Sequence, residues 1–292
     1  MKVLVLGATG YIGSAVAGRL AEHGHEVVAL VRPAVAGEER VVPGASAVRY
    51  GDATDPAALR AAADDADVVV HAAAPAGDAG TELAAVEALL AGGARIVYTS
   101  GIWVLGPGAS AEDGPLAPIP LVAFRADVER RVREAGGVVI RPGIVYGRGG
   151  GIPALLVAKA AEHGRGRYVS ADGQEPTWPT VHVDDLADLF AVAVEKAEAG
   201  AVLHGVAEEA VPLPAIAEAA GRAAGLGGAG VRAWPVEEAA GDLGPAFAGA
   251  LALGQSVSAL RTREALGWNP YRPGIVAELA DGSYRNGRGP AA

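Results

Sequence analysis

The chain of 292 residues contains no cysteine, which excludes disulfides, thiol nucleophiles and Cys-ligated metals. Lysine is nearly absent, with Lys2, Lys159 and Lys196 the whole complement. Cations are outnumbered, 24 Lys and Arg against 34 Asp and Glu, for a net charge of −10. Nucleic acids and anionic membranes both require clustered positive charge, so neither is an expected partner. No run is apolar enough, over enough residues, to span a bilayer. No His, Asp and Glu grouping has metal-ligand spacing, so no metal is expected, and no nucleophile-elbow motif occurs. What the chain does have is 51% hydrophobic residues and only 20% charged ones. That is the composition of a folded protein, long enough for one large α/β domain with a smaller appendage.

Lys2 is followed by an uncharged, largely apolar stretch to Gly18, in which Ala15-Val16-Ala17 imitates a signal-peptidase site. A strand, glycine turn and helix account for it better, because the helical pattern Ile12, Val16, Leu20 runs past that point. The cytoplasm is then the expected compartment. Apolar runs predict strands at Val3–Leu6, Glu26–Val31, Ala47–Tyr50, Asp67–His71, Arg95–Thr99 and Val138–Ile140. Helices are expected between them: Asp55-Pro56 supplies a cap and a first-turn proline, and Leu83, Val86, Leu89 and Leu90 share one face. Leu121, Phe124, Val128 and Val132 form another helical face. Alternation at this spacing predicts an α/β fold, a doubly wound parallel Rossmann-type sheet with its ligand crevice at the strands' C-terminal ends. Residues 1–147 with about 180–200 form the expected dinucleotide-binding domain. About 148–179 and 201–292 form a small C-terminal substrate lobe.

The first turn reads Gly7-Ala8-Thr9-Gly10-Tyr11-Ile12-Gly13. Glycines spaced this way let the backbone approach a pyrophosphate, and the helix that follows offers free N–H groups and the positive end of its dipole. Following a strand and opening a helix is the context in which such a triplet binds dinucleotides. Its alternative is a turn without a ligand. At the end of the second strand stands Arg32, with no acid before Glu38. A guanidinium there suits a 2′-phosphate, so NADP(H) is expected over NAD(H); the alternative is a solvated surface Arg.

Six motifs in order make the chain resemble the extended short-chain dehydrogenase/reductase family, the NAD-dependent epimerase/dehydratase and dihydroflavonol-reductase-like group. They are Gly7 to Gly13, Gly51-Asp52-Ala53-Thr54-Asp55, His71-Ala72-Ala73-Ala74, Arg141-Pro142-Gly143-Ile144-Val145-Tyr146-Gly147, Val181-His182-Val183-Asp184-Asp185-Leu186-Ala187 and Leu266-Gly267-Trp268-Asn269-Pro270. The resemblance implies cofactor contacts from Gly7, Thr9, Gly10, Tyr11, Ile12 and Gly13. It implies adenine contacts from Asp52 and Ala53, ribose contacts from Ala72, Ala73, Ala74 and Thr99, and nicotinamide contacts from Pro142 and Ile144.

The resemblance also implies chemistry by a Ser or Thr after the fifth strand and a Tyr-x-x-x-Lys on the next helix, and here the sequence departs. No tyrosine lies between Tyr98 and Tyr146, and no lysine follows a tyrosine by four residues. Registering Val104-Leu105-Gly106 and Glu129 on the family pattern puts Gly101 at the Ser position, Leu121 at the Tyr and Arg125 at the Lys. Ser100 falls one residue early, on the other side of an alternating strand. Arg125 keeps the charge that would hold a ribose but cannot act as a proton reservoir. Three readings follow: an oxidoreductase that takes its proton from another group or from water; a redox-neutral isomerase, cyclase or dehydratase; and a non-catalytic NADP(H)-binding sensor. The nicotinamide motif at Arg141 to Gly147 favours the first.

Candidate replacements are Tyr146, against its alternative of core packing, and the loop carboxylates Glu112 and Asp113, against simple solvation. His182 is read as structural. Trp103 and Trp178, with Gly101 and Leu121, are the candidate substrate-pocket residues, and such a pocket suits a small, rather apolar substrate. Arg165, Arg167 and Arg232 keep a diphosphate-bearing substrate open. In the family the Leu121 to Val132 helix often forms a dimer interface, and the sequence permits a homodimer without showing one.

Overall fold

The computed structural model describes residues 1–32, 41–74 and 78–285. In chain order the first half runs β1 (Lys2–Leu6), α1 (Tyr11–Glu22), β2 (Glu26–Val31), β3 (Ala47–Tyr50), α2 (Pro56–Ala63), β4 (Val68–His71), α3 (Ala79–Leu90), β5 (Arg95–Thr99), β6 (Gly108–Ser110), α4 (Arg125–Glu134) and β7 (Val138–Pro142). The second half runs β8 (Ile144–Tyr146), α5 (Gly151–His163), β9 (Gly166–Ser170), β10 (Thr177–His182), α6 (Val183–Lys196), β11 (Val202–Gly205), β12 (Glu208–Pro212), α7 (Leu213–Ala223), β13 (Val231–Pro235), α8 (Val236–Leu243), α9 (Pro245–Leu251), β14 (Gln255–Val257), α10 (Leu260–Leu266) and α11 (Ile275–Asp281).

The central sheet is parallel, in the order β11-β7-β5-β4-β1-β2-β3. The order reverses beside β1, which places a crevice at the C-terminal ends of β1 and β4. Both faces of β1 are buried, which is why it is an unbroken apolar run. Val3 and Val5 pack with Val16, Leu20 and Phe190 under α1 and α6, while Leu4 and Leu6 pack with Leu59, Val86, Leu89 and Val132 under α2, α3 and α4. A third apolar cluster joins β8, β9, β10, α5, α7 and α11. Two smaller sheets, β12-β10-β8 and β13-β9, belong to it.

Caps fix where helices start. Asp55 accepts the Ala57 N–H at 2.9 Å with Pro56 in the first turn, and Asp78 accepts the Thr81 N–H at 2.8 Å. At α6, His182 Nδ1 accepts the Asp184 N–H at 3.1 Å. Trp268 donates to the Asp185 carbonyl at 2.9 Å, and the Asp185 carboxylate accepts the N–H groups of Tyr271 and Arg272. The motif near the chain's end is therefore pinned onto the start of α6.

The helix expected from Leu121 begins later. Pro120–Val122 forms a 3-10 turn, and α4 starts at Arg125. Ile119 is extended, as the residue before a proline favours, and Pro120 opens the 3-10 turn.

Candidate active site

The turn Gly7 to Gly13 closes tightly because glycine stands where a side chain would collide with backbone. Gly7 has φ of +77°, and a Cβ there would lie 2.5 Å from the Ala72 carbonyl oxygen; a Cβ on Gly13 would lie 2.0 Å from the Gly7 oxygen. The first and third motifs thus abut through glycine. The turn itself is open: Thr9 and Gly10 are exposed, and α1 begins with no side-chain cap and no acid in its first turn. Its first N–H groups and positive dipole end face outward at the crevice, an arrangement fit for a pyrophosphate. Tyr11 reaches across to the fourth motif, donating to the Gly147 carbonyl at 2.8 Å, and packs where a Gly150 Cβ would be.

Beside this turn lies a cavity of about 560 Å³. Tyr11 and Ile12 form one wall, Ser100 to Trp103 a second, Leu121, Val122, Phe124 and Arg125 a third, and Pro142 to Val145 with Gly151 and Ile152 a fourth. Trp103 is held edge-on to Phe247 at 6.3 Å. Of the sequence-predicted residues, Tyr11, Ile12, Gly101, Trp103, Leu121, Arg125, Pro142 and Ile144 all line this one cavity.

Among the described residues, Arg125 is the only Asp, Glu, His, Lys or Arg in the lining. Its Nη1 donates to the Thr99 carbonyl at 2.6 Å and approaches the Tyr98 hydroxyl at 3.4 Å. Tyr98 in turn donates to the buried Glu82 at 3.1 Å and lies against the His71 ring, 5.4 Å between centroids. Burial pushes the Tyr98 hydroxyl well above the ordinary tyrosine range and pushes His71 below the ordinary histidine range. Tyr11, the other titratable lining residue, is also raised by burial, and its proton is committed to Gly147. Among the described residues no carboxylate, histidine or lysine lines the cavity. The Ser100 and Thr99 hydroxyls are buried without partners, and Ser100 forms part of the cavity wall.

Glu82 is the site residue with the weakest sequence signal, an acid one turn from Val86 on the face of α3 that meets Tyr98 of β5.

Several predicted residues lie elsewhere. Tyr146 is fully buried, donates to the Pro273 carbonyl at 2.9 Å and does not line the cavity. Trp178 does not line this cavity; it is buried in the third apolar cluster and donates to the Leu251 carbonyl at 3.2 Å. Glu112 accepts the N–H and hydroxyl of Thr262, and Asp113 pairs with Arg261 at 2.7 Å, both away from the cavity. Arg167 is spent on Glu238 and the Trp234 face, and neither Arg165 nor Arg232 lines the cavity. Arg32 and Asp52 are exposed, Asp52 bonded to the N–H and hydroxyl of Thr54. Ala53 follows Asp52 beyond β3, and Ala73 and Ala74 follow Ala72 beyond β4. Glu38 lies outside the described residues.

The sheet, its reversal and the open glycine turn define a Rossmann-type dinucleotide-binding fold. The chain matches the NAD dependent epimerase/dehydratase family over residues 3–100. It is 34% identical over 320 residues to a 3-diazoavenalumate denitrifying reductase from Streptomyces sp, covering 99% of each chain. It is 31% identical over 243 residues to a 2-alkyl-3-oxoalkanoate reductase of Stenotrophomonas maltophilia, covering 73% of this chain and 72% of that one. It superimposes on the human epimerase family protein SDR39U1, solved with NADPH, with a TM-score of 0.73 at 25% identity over 97% and 99% of the two chains. The protein belongs to the extended short-chain dehydrogenase/reductase family. Among the described residues no helix is long and apolar enough to cross a membrane.

Proposed function

We propose that the protein is a nicotinamide-dependent reductase of a small, apolar, unsaturated substrate, and that the protein supplies no proton to the reacting atoms. One observation carries this: the cavity beside the dinucleotide turn is walled mainly by apolar side chains, and among the described residues no carboxylate, histidine or lysine lines it. The reductase name of the Streptomyces relative supports the direction of reaction.

A bound dinucleotide would lie with its pyrophosphate on Gly7 to Gly13, its adenine toward Asp52 and Ala53, its riboses along Ala72 to Ala74 and Thr99, and its nicotinamide against Pro142 and Ile144. Arg32 would select the 2′-phosphate of NADP(H). When bound it supplies the hydride. The chain's residues then orient and dehydrate the acceptor: Trp103, Leu121 and Phe124 wall off water, and Arg125 supplies the local positive charge.

Suitable acceptors are those that hydride alone can reduce. In a conjugated carbonyl the electron pair displaced by the hydride comes to rest on oxygen as an enolate or phenolate. In an arene diazonium the new C–H bond forms as the C–N pair departs with N2, and no proton is consumed. The second type is the kind of reaction that the Streptomyces relative's name describes. A saturated ketone would leave a strongly basic alkoxide and is a poor fit.

The test is oxidation of NADPH against a panel of conjugated carbonyls, arene diazonium salts and saturated ketones. Turnover confined to the first two classes is expected. Turnover favouring saturated ketones, or tight binding with no turnover on any class, would contradict the reading.

A further inference from the structure

Arg125 is bound to the protein by one nitrogen only. Nη1 is taken by the Thr99 carbonyl and the Tyr98 hydroxyl. Nε and Nη2 have no hydrogen-bond partner among the described residues, and the side chain is half-buried in the cavity wall. A guanidinium presents donors in a planar fork, so anchoring one arm fixes the direction of the others. The ring of Phe124 lies 5.6 Å from the guanidinium carbon and that of Tyr98 5.9 Å, which holds the plane further. Around it the lining is apolar, where an unpaired charge is costly and a charge-assisted hydrogen bond is correspondingly strong. The groups packed behind Arg125 are Tyr98, Glu82 and His71. Glu82 is already engaged by Tyr98, so it does not turn toward the cavity.

We infer that Arg125 is the oxyanion-binding residue of this cavity, and that its substrates are apolar conjugated carbonyls, quinonoid or vinylogous, whose oxygen becomes a phenolate or enolate as hydride is accepted. This rests on the reductase reading and narrows it to where the substrate's charge develops. A bound reduced nicotinamide would supply the hydride, becoming oxidised, for a new C–H bond at the far end of the conjugated system. The C=C π pair shifts along the chain and the C=O π pair ends on oxygen beside Arg125. Water protonates that oxygen after release. Stabilising the anion replaces protonating it, in a cavity that no carboxylate, histidine or lysine lines among the described residues.

The test needs neither cofactor nor turnover. A nitrophenol, whose ionised form has its own visible absorbance, is titrated with pH in the presence of the full-length protein, with the matching nitrotoluene as neutral isostere. The phenolate is expected to bind at least about tenfold more tightly than the phenol, so that the bound phenol ionises about one unit or more lower. Arg125→Gln is expected to abolish that preference while leaving nitrotoluene affinity within about twofold, and Arg125→Lys, a check should the glutamine variant misfold, to keep part of it. A bound phenol that ionises no more easily than in water, failure of both probes to bind, or a preference that survives Arg125→Gln would each overturn the inference. Calorimetric titration with NADPH on the same samples separates the two levels. NADPH binding without phenolate preference sinks only the oxyanion role, whereas loss of dinucleotide binding sinks the reductase reading itself.

Discussion

Nη1 of Arg125 lies 2.6 Å from the carbonyl oxygen of Thr99, joining the first residue of α4 to the last residue of β5. The contact connects the crevice end of the sheet to the wall that carries Leu121 and Phe124. It is a hydrogen bond from a charged donor to a backbone acceptor. Arg125→Ala should therefore lower the unfolding free energy by roughly 1–3 kcal/mol, read as a lower urea midpoint with unchanged slope. A variant as stable as the wild type would show that the contact does not hold α4 in place.

Glu129 and Arg141 form a second bridge between α4 and β7, with Nη2 to Oε2 at 2.6 Å and both side chains almost fully buried. Removing one partner leaves the other charged and dry. Glu129→Ala should cost about 3–5 kcal/mol, whereas replacing both with apolar residues of similar volume should recover much of that. Equal losses for the single and double variants would contradict the pairing.

Two glycines of α1 should behave oppositely. A Cβ at Gly13 would meet the Gly7 oxygen at 2.0 Å, while one at Gly18 meets nothing within 4 Å. Gly13→Ala should therefore cost about 1–3 kcal/mol and weaken dinucleotide binding. Gly18→Ala should stabilise by about 0.5–1 kcal/mol and leave binding unchanged. Thermal melts and calorimetry on the pair decide it.

Acid should destabilise the protein through buried histidines. Burial lowers the pKa of His71 and of His204, and each has a ring nitrogen without a partner. The folded state keeps both neutral, while the unfolded chain takes up protons near pH 6.5. Their contribution is thus complete above about pH 6.5 and is lost as pH falls below it, by up to about 1.4 kcal/mol per unit for each histidine. Urea midpoints at pH 7.5 and about 5.5 measure the fall. His204→Gln should make it shallower, and an unchanged slope would show that His204 is not the source.

The central sheet was legible because strands buried on both faces are nearly pure apolar runs. Glu26–Val31, Ala47–Tyr50 and Arg95–Thr99 end where the sequence places them. The dinucleotide turn and most of the cavity wall were legible for a related reason, since their residues sit at fixed offsets from those strand ends. Trp178 was not, because a tryptophan in an apolar strand reads the same whether it faces a ligand or a core. The support beneath Arg125 was hidden too: Glu82, Tyr98 and Arg125 come from α3, β5 and α4 and meet only through packing. The pairing of β10 with β8 and β12 joins distant segments, and local periodicity carries no record of it.

The most direct measurement is a calorimetric titration of the wild type and Arg32→Ala with NADPH and with NADH. The wild type should bind NADPH more tightly than NADH, and Arg32→Ala should lose affinity mainly for NADPH. Binding of neither dinucleotide would overturn the reductase reading, for the glycine turn would then be a structural feature only and the cavity beside it would have no source of hydride.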